Sequence, residues 1–177
     1  LHGNDLHVAA SIGISLYPGD GSDAETLMRN ADTAMYHAKD SGRGNFQFFT
    51  QHMNIAAQQR LSLENALRRS IEEREFELHY QPLFDLRDRS ITGFEALLRW
   101  NPPGHAPVPP AEFIPLAEET GLIGPIGDWT LNAACRQNKA WQDAGLPPIV
   151  VSVNVSARQF QEKDWVERVA RALEKSG

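Results

Sequence analysis

Apolar and polar residues alternate two by two along Ile91 to Trp100, Ile-Thr-Gly-Phe-Glu-Ala-Leu-Leu-Arg-Trp. That period, with its β-branched and aromatic content, predicts a strand. Thr92, Phe94, Ala96, Leu98 and Trp100 fall on one face, which is mostly apolar and suited to packing against helices. Ile91, Gly93, Glu95, Leu97 and Arg99 fall on the other. A carboxylate and a guanidinium four residues apart then point the same way. Charges belong in a sheet only when they are paired, bound to metal or lining a cavity. Asn101-Pro102-Pro103-Gly104 stops the strand. Glu95 and Arg99 are therefore expected near its C-terminal end, where α/β barrels carry their chemistry.

The same reading extends to the rest of the chain. His7 to Tyr17 alternates and predicts a strand, closed by the turn Pro18-Gly19-Asp20-Gly21. Ser22 with Glu25 has the spacing of a capping box, and Leu27, Ala31, Ala34, Met35 and Ala38 form the buried stripe of the helix it opens. Gly42 suits that helix's C′ position. Asn45 to Phe49 is a short closing strand. Residues 50 to 74 change to helical spacing and predict one long helix or two joined ones, linking two domains. Such a linker is stiffer than a Gly/Ser tether and can transmit a rotation.

Phe76, Leu78 and Tyr80 alternate with Glu77, His79 and Gln81, a strand that Pro82 is expected to end. Asp85 to Ser90 is then the turn of a hairpin. Pro109-Pro110 starts a short helix with Phe113, Leu116 and Ala117 inward and Gly121 at its end; Pro115 interrupts it and suggests two short turns. Pro125 suits the first position of a helix running to about Ala144, with Ile126, Trp129, Ala133, Ala140, Trp141 and Ala144 as its apolar stripe. Ile149 to Ser156 predicts a third strand, with Val151, Val153 and Val155 on one face and Ser152, Asn154 and Ser156 on the other. A last helix covers about Glu162 to Glu174. Strand and helix alternating after residue 76 indicate an α/β sheet, parallel apart from its opening strand.

Composition narrows the function. The 177 residues carry 17 basic and 23 acidic side chains, a net charge of −6, which argues against a binder of nucleic-acid polymers or anionic membranes. The lone Cys135 excludes an internal disulfide and fits a reducing, cytoplasmic compartment. Between Ala134 and Arg136 on a helix, it reads as a core thiol rather than a nucleophile. No apolar run reaches membrane-spanning length, and no secretory signal opens the chain. The histidines show no paired zinc spacing: His2 and His7 are five apart, and His79 and His105 stand alone. The chain begins at Leu1, directly before strand-like sequence, and a piece of something longer is expected.

Four blocks carry a resemblance: Tyr80-Gln81-Pro82; Gly93-Phe94-Glu95-Ala96-Leu97-Leu98-Arg99-Trp100; Pro110-Ala111-Glu112-Phe113-Ile114-Pro115-Leu116-Ala117-Glu118; and Ser152-Val153-Asn154-Val155-Ser156-Ala157-Arg158-Gln159. In this order, over roughly residues 61 to 177, they resemble the EAL family of cyclic di-GMP phosphodiesterases, which have a TIM-type barrel. The first 49 residues resemble the C-terminal end of a GGDEF diguanylate cyclase domain. That match lies in Ala10 to Ser15, in Ala31-Asp32-Thr33-Ala34-Met35-Tyr36-His37-Ala38-Lys39, and in Gly42-Arg43. Gly44 stands where that family often has Asn. The implied organisation is 1–49 as the end of a GGDEF domain, 50–74 as a helical linker running into the first EAL helix, and 61–177 as the N-terminal part of an EAL domain.

The resemblance implies roles. Glu95 matches a metal-ligating glutamate, and Asn154 a second ligand whose amide oxygen suits Mg²⁺ or Mn²⁺. Arg99 matches a phosphate contact, for which its planar fork is apt. Gln81, Leu97 and Pro115 match positions lining the dinucleotide, although packing explains Leu97 and Pro115 as well. Lys39 and Arg43 match cyclase contacts to the GTP triphosphate, a place where the helix dipole alone also favours basic residues. The implied reaction is hydrolysis of cyclic di-GMP to the linear dinucleotide with two divalent ions. A homodimer through the EAL half and an upstream sensory domain are further implications. The segment after Leu61 is under half the about 250 residues of a closed barrel, so this chain alone is expected to hold part of the site and to be inactive. The competing readings are a receptor that binds cyclic di-GMP without cleaving it and a cyclase with a regulatory EAL half.

Overall fold

The computed structural model describes residues 9–104 and 106–177. The chain divides into two compact units, Leu1–Ser62 and Leu63–Gly177. In the first, β1 (Ile12–Ile14) pairs in parallel with β2 (Phe46–Phe48), and α1 (Ala24–Asp40) connects them. A Cβ on Gly13 would stand 1.9 Å from the Ala31 carbonyl oxygen, so α1 lies against β1 at a distance only glycine permits. Ala34 and Ala38 are buried, and Leu27, Ala31 and Met35 are half-buried, so the expected stripe faces inward. Asn30 adds a buried amide that donates to the Asp20 carbonyl at 2.6 Å.

The helix start differs from expectation. Asp23, not Ser22, caps α1: its carboxylate accepts from the Thr26 backbone N–H at 2.8 Å and from the Thr26 hydroxyl at 2.9 Å. These bonds hold the Asp23 carboxyl below its usual pKa. An ionised carboxylate at a helix N-terminus also meets the positive end of the dipole, an advantage Ser22 lacks. At the other end Ser41 is the C-cap and Gly42 follows with φ 104°. Arg43 (φ 59°) and Gly44 (φ 63°) continue left-handed, a region open to Gly and Asn alike. The strand expected from His7 to Tyr17 is much shorter; His7 and Val8 lie outside the described residues, and pairing with β2 covers three positions.

Residues 51 to 73 form one unbroken helix, α2 (Gln51–Glu73), and the division between the units falls within it. Met53 joins Ala34 and Phe49 in the core of the first unit. Ala66 and Leu67 enter the core of the second with Phe76, Trp100, Val108, Phe113, Leu116, Ala117, Ile123 and Ile126.

The second unit is a three-stranded sheet ordered β3-β4-β5: β3 (Phe76–Phe84) antiparallel to β4 (Ile91–Trp100), and β4 parallel to β5 (Val150–Val153). The remaining helices are α3 (Pro110–Thr120), α4 (Ile123–Asp143), the four-residue α5 (Ala157–Phe160) and α6 (Trp165–Ser176). Pro82 does not end β3, which runs on to Phe84 opposite Ile91. Proline is tolerated there because β3 is the sheet's edge, where a missing N–H removes no ladder bond on the open side. Pro115 likewise leaves α3 intact. Phe113, Leu116 and Ala117 are buried around it, and their packing outweighs the about 3 kcal/mol that an interior proline costs. Helix α4 starts two residues before Pro125, which still falls in the first turn, where backbone donors are unpaired in any case.

The apolar face of β3 and β4 packs on the helices as the alternation requires. Trp100 and Phe76 stack with centroids 6.2 Å apart, Phe113 meets the Trp100 ring edge at 5.4 Å, and Trp129 meets Phe76 at 5.9 Å. Further along, Trp141 lies 4.8 Å from Tyr80 and 5.4 Å from Phe94. The buried line of α4 is nevertheless rotated from the expected stripe. Ile123, Ile126, Thr130 and Ala134 are buried, while Ala140 and Ala144 are exposed. The reason is a second neighbour, α6. Its Arg168 donates to Asp128 at 2.7 Å and to the Gly124 carbonyl at 3.4 Å, pairs with Glu162, and lies over the Trp165 ring.

The strand expected from Ile149 to Ser156 is confined to Val150–Val153, paired with Gly93 to Ala96, because the chain leaves the sheet after Val153 to enter the capped turn at Ser156. The chain then turns, and Ser156 caps α5, an element the pattern did not predict. The last helix begins at Trp165, three residues later than expected.

Ser70 is fully buried and joins α2 to the end of β4. It accepts from the Trp100 indole N–H at 2.8 Å and donates to Glu75 at 2.5 Å. Replacing Ser70 by Ala leaves that indole donor unpaired in the core, and stability should fall by about 1–3 kcal/mol in urea titrations.

Candidate functional site

The polar face of the sheet gathers most of the sequence-predicted residues. Gln81 stands directly opposite Glu95, and Glu95 opposite Ser152, so three polar side chains form one row across three strands. Leu97 lies opposite His79, and Arg99 opposite Glu77, on the same face. Glu95 is in the middle of β4 rather than near its end. The shorter neighbour corrects for this: β5 stops at Val153, level with Ala96, so Glu95 sits at the C-terminal end of the parallel pair. Asn154 is the first residue past that end, and its side-chain amide donates to Glu95 Oε1 at 2.7 Å. Residues 59 positions apart are thus brought into direct contact.

A half-buried carboxylate beside a carboxamide is a pair of hard oxygen donors, which is what Mg²⁺, Mn²⁺ and Ca²⁺ prefer. The residues fit such an ion as part of its ligand set. Among the described residues, no three His, Cys, Asp or Glu side chains come together to hold a metal, so Glu95 and Asn154 are two donors out of the about six that a hard cation takes. For such an ion Glu95 would offer its carboxylate and Asn154 its amide oxygen.

Arg99 donates Nη1 to the Leu98 carbonyl at 2.9 Å and, among the described residues, meets no carboxylate at ion-pair distance. Its cross-strand neighbour Glu77 lies instead 3.6 Å from His79 Nε2. The guanidinium fork therefore keeps donors for an anion on the same face as Glu95. Pro115 is exposed on α3. Lys39 and Arg43 are exposed in the first unit, Lys39 lying 5.9 Å from the Tyr36 ring centre. His2, His7 and His105 lie outside the described residues. Two features were not foreseen. Ser152 completes the row, as the strand's alternation already allowed. An open cleft of about 350 Å³ is lined by Glu118, Glu119, Ala157, Arg158 and Gln161, with Arg158 donating to the Glu118 carbonyl.

A sheet with one antiparallel edge, helices on its apolar face and oxygen-bearing side chains at the ends of its parallel strands defines a mixed α/β protein. Residues 64–177 match the sequence model of the EAL domain, and residues 1–45 that of the diguanylate cyclase GGDEF domain. The chain belongs to the EAL family, with the end of a GGDEF domain ahead of it.

The chain is 48% identical over 170 residues to the bifunctional diguanylate cyclase/cyclic di-GMP phosphodiesterase MucR of Pseudomonas aeruginosa, a match covering 96% of this chain and 25% of that protein. It is 39% identical over 170 residues to the cyclic di-GMP phosphodiesterase PdeR of Escherichia coli, with the same coverage of 96% and 25%. The solved PaMucR phosphodiesterase in complex with c-di-GMP superposes with a TM-score of 0.62 at 43% identity, over 65% of this chain and 47% of that one. The chain thus spans about a quarter of the length of these curated relatives, and its three-stranded sheet is part of an EAL fold. No helix among the described residues is long and apolar enough to cross a membrane.

Cys135 is half-buried on α4, and burial pushes its thiol above the usual range despite the neighbouring Arg136. The thiolate is the reactive form, so alkylation of the folded chain at pH 7 should be slower than alkylation in denaturant, with the gap narrowing as pH rises.

Proposed function

We propose that the protein containing this chain hydrolyses one phosphodiester bond of cyclic di-GMP to give the linear dinucleotide, with divalent metal. One observation carries the reading: the Glu95 carboxylate and the Asn154 amide meet at 2.7 Å at the end of the parallel strands. The names of the relatives and the ligand of the superposed structure point to the same substrate.

Glu95 and Asn154 would hold a cation, Mg²⁺ or Mn²⁺, one of two in the complete site. When bound, such ions lower the pKa of a bridging water and stabilise an in-line displacement at phosphorus. Arg99, on the same face and without a carboxylate partner among the described residues, would grip phosphate oxygens. Gln81, opposite Glu95, would hydrogen-bond the dinucleotide, while Leu97 would line its site. Pro115 would contribute from α3. Residues 1–49 would be the end of the cyclase domain, with Lys39 and Arg43 toward a nucleotide triphosphate; 50–74 the helical linker; and 61–177 the first part of the phosphodiesterase domain. A homodimer through the EAL half and an upstream sensory domain belong to the same reading.

In the longer protein, Glu95→Gln keeps the side chain's shape and removes the charge that anchors the cation. Metal-dependent turnover should fall by at least about a hundredfold, the upper end of what losing even an outer-shell partner of a metal site costs. The circular dichroism spectrum should not change. Full turnover with Mg²⁺ would make Glu95 a structural residue.

The 177-residue chain by itself should not hydrolyse cyclic di-GMP. Among the described residues, Val150–Val153 has no strand on its far side, and an unpaired edge neither closes a barrel nor supplies further ligands. Product formation with excess Mn²⁺, followed by chromatography, checks this. Turnover within about tenfold of the longer protein, a barrier difference of about 1.4 kcal/mol, would mean that the site lies elsewhere.

A further inference from the structure

Asn154 follows the last residue of β5 and is exposed, in a stretch with no regular backbone bonding of its own. Two residues later the chain is capped. The Ser156 hydroxyl accepts from the Gln159 backbone N–H at 3.2 Å, and Gln159 Oε1 accepts from the Ser156 N–H at 3.3 Å. This reciprocal cap closes α5, whose four residues are too few to be a stable helix without tertiary support. The support comes from Gln159 itself, which is 2% exposed although it is a polar side chain on a short surface helix.

Gln159 is seated against α4 at Gly127. A Cβ on Gly127 would lie 1.7 Å from Gln159 Nε2, 2.7 Å from Cδ and 2.9 Å from Oε1. Glycine inside a helix costs about 1 kcal/mol relative to alanine, and here its missing side chain is the space the carboxamide fills. Helix α4 is in turn fixed to the sheet, Trp129 against Phe76 and Trp141 against Tyr80 and Phe94. Phe94 is the immediate neighbour of Glu95 on β4. The backbone carrying Asn154 is therefore tied through Gln159 and Gly127 to the element that sets the position of Glu95.

We propose that Gln159, locked into the notch at Gly127, is a positioning residue that holds Asn154 beside Glu95 for cation binding. This rests on the reading of Asn154 as a ligand. Gln159 touches neither cation nor substrate. It fixes the turn after β5, so that the amide at 154 and the carboxylate at 95 converge without ordering a loop at the moment of binding.

The test is Mn²⁺ affinity in the longer protein, from the electron paramagnetic resonance signal of free Mn²⁺, with thermal unfolding recorded for every variant. Gly127→Ala should displace the carboxamide and weaken Mn²⁺ binding by about tenfold, as losses in the support of metal ligands do. Gln159→Ala, which removes atoms rather than adding them, should do the same while remaining folded at the assay temperature. Gly127→Ala combined with Gln159→Ala should bind no more weakly than Gln159→Ala alone, since the added methyl then has nothing to strike. Affinity within about twofold of the parent in folded Gln159→Ala, or losses that add in the double variant, would overturn the proposal and leave Gln159 a core amide. Asn154→Ala separates the two readings. If it retains full Mn²⁺ affinity, the ligand assignment fails; if it loses affinity while Gln159→Ala does not, only the positioning role fails.

Discussion

The second unit depends on β4 being hydrogen-bonded along both edges while its two faces do opposite things. One face, through Phe94, Ala96, Leu98 and Trp100, is sealed by aromatic packing from α3 and α4. The other holds Glu95, Leu97 and Arg99 in line with polar residues of β3 and β5. A register slip by one residue would bury a carboxylate and a guanidinium and expose Trp100, a cost of many kcal/mol in desolvation alone. The same hydrophobic contacts that stabilise the unit therefore fix which way its charges point.

From that constraint the site follows with little further machinery. Antiparallel pairing sets Gln81 beside Glu95. The early end of β5 brings Asn154 around to the carboxylate. What keeps that turn in place is held at two further points. Gln159 fills the gap over Gly127, and Arg168, with 13% of its side chain exposed, clamps the following helix to α4 through Asp128 and the Gly124 carbonyl. A half-buried guanidinium with several acceptors adds less to net stability than its contacts suggest, but it leaves few other ways for the two helices to meet. Among the described residues the polar face has lighter ties: Arg99 donates to the carbonyl of its own neighbour, and the Glu95 carboxylate accepts from the Asn154 amide.

The first unit is built on a different economy. Its strands are three residues each, too short to be stable as a pair, and α1 covers them at a distance set by Gly13. Phe46, Phe48 and Tyr36 remain substantially exposed, as befits a segment that matches only the end of a larger domain.

The sequence by itself determined the strand at Ile91–Trp100, its two faces, the helices that flank it and the family. Alternation and helical spacing are local, and four blocks in order are a specific signature. It also placed Glu95, Arg99 and Gln81 on one side, since side-chain direction in a strand follows from parity. Other features were decided only in three dimensions. Pro82 continues a strand because that strand is an edge, and Pro115 stays within a helix because its neighbours are buried. The face of α4 rotates because α6 claims part of it. Asn154 reaches Glu95 because the chain leaves the sheet after Val153 and turns into the cap of α5. Gln159 reads along the chain as an ordinary polar residue after a cap. Its burial over Gly127, 32 positions away, arises from a missing side chain on another helix, and no local pattern reports the shape of a gap that distant parts of the chain create.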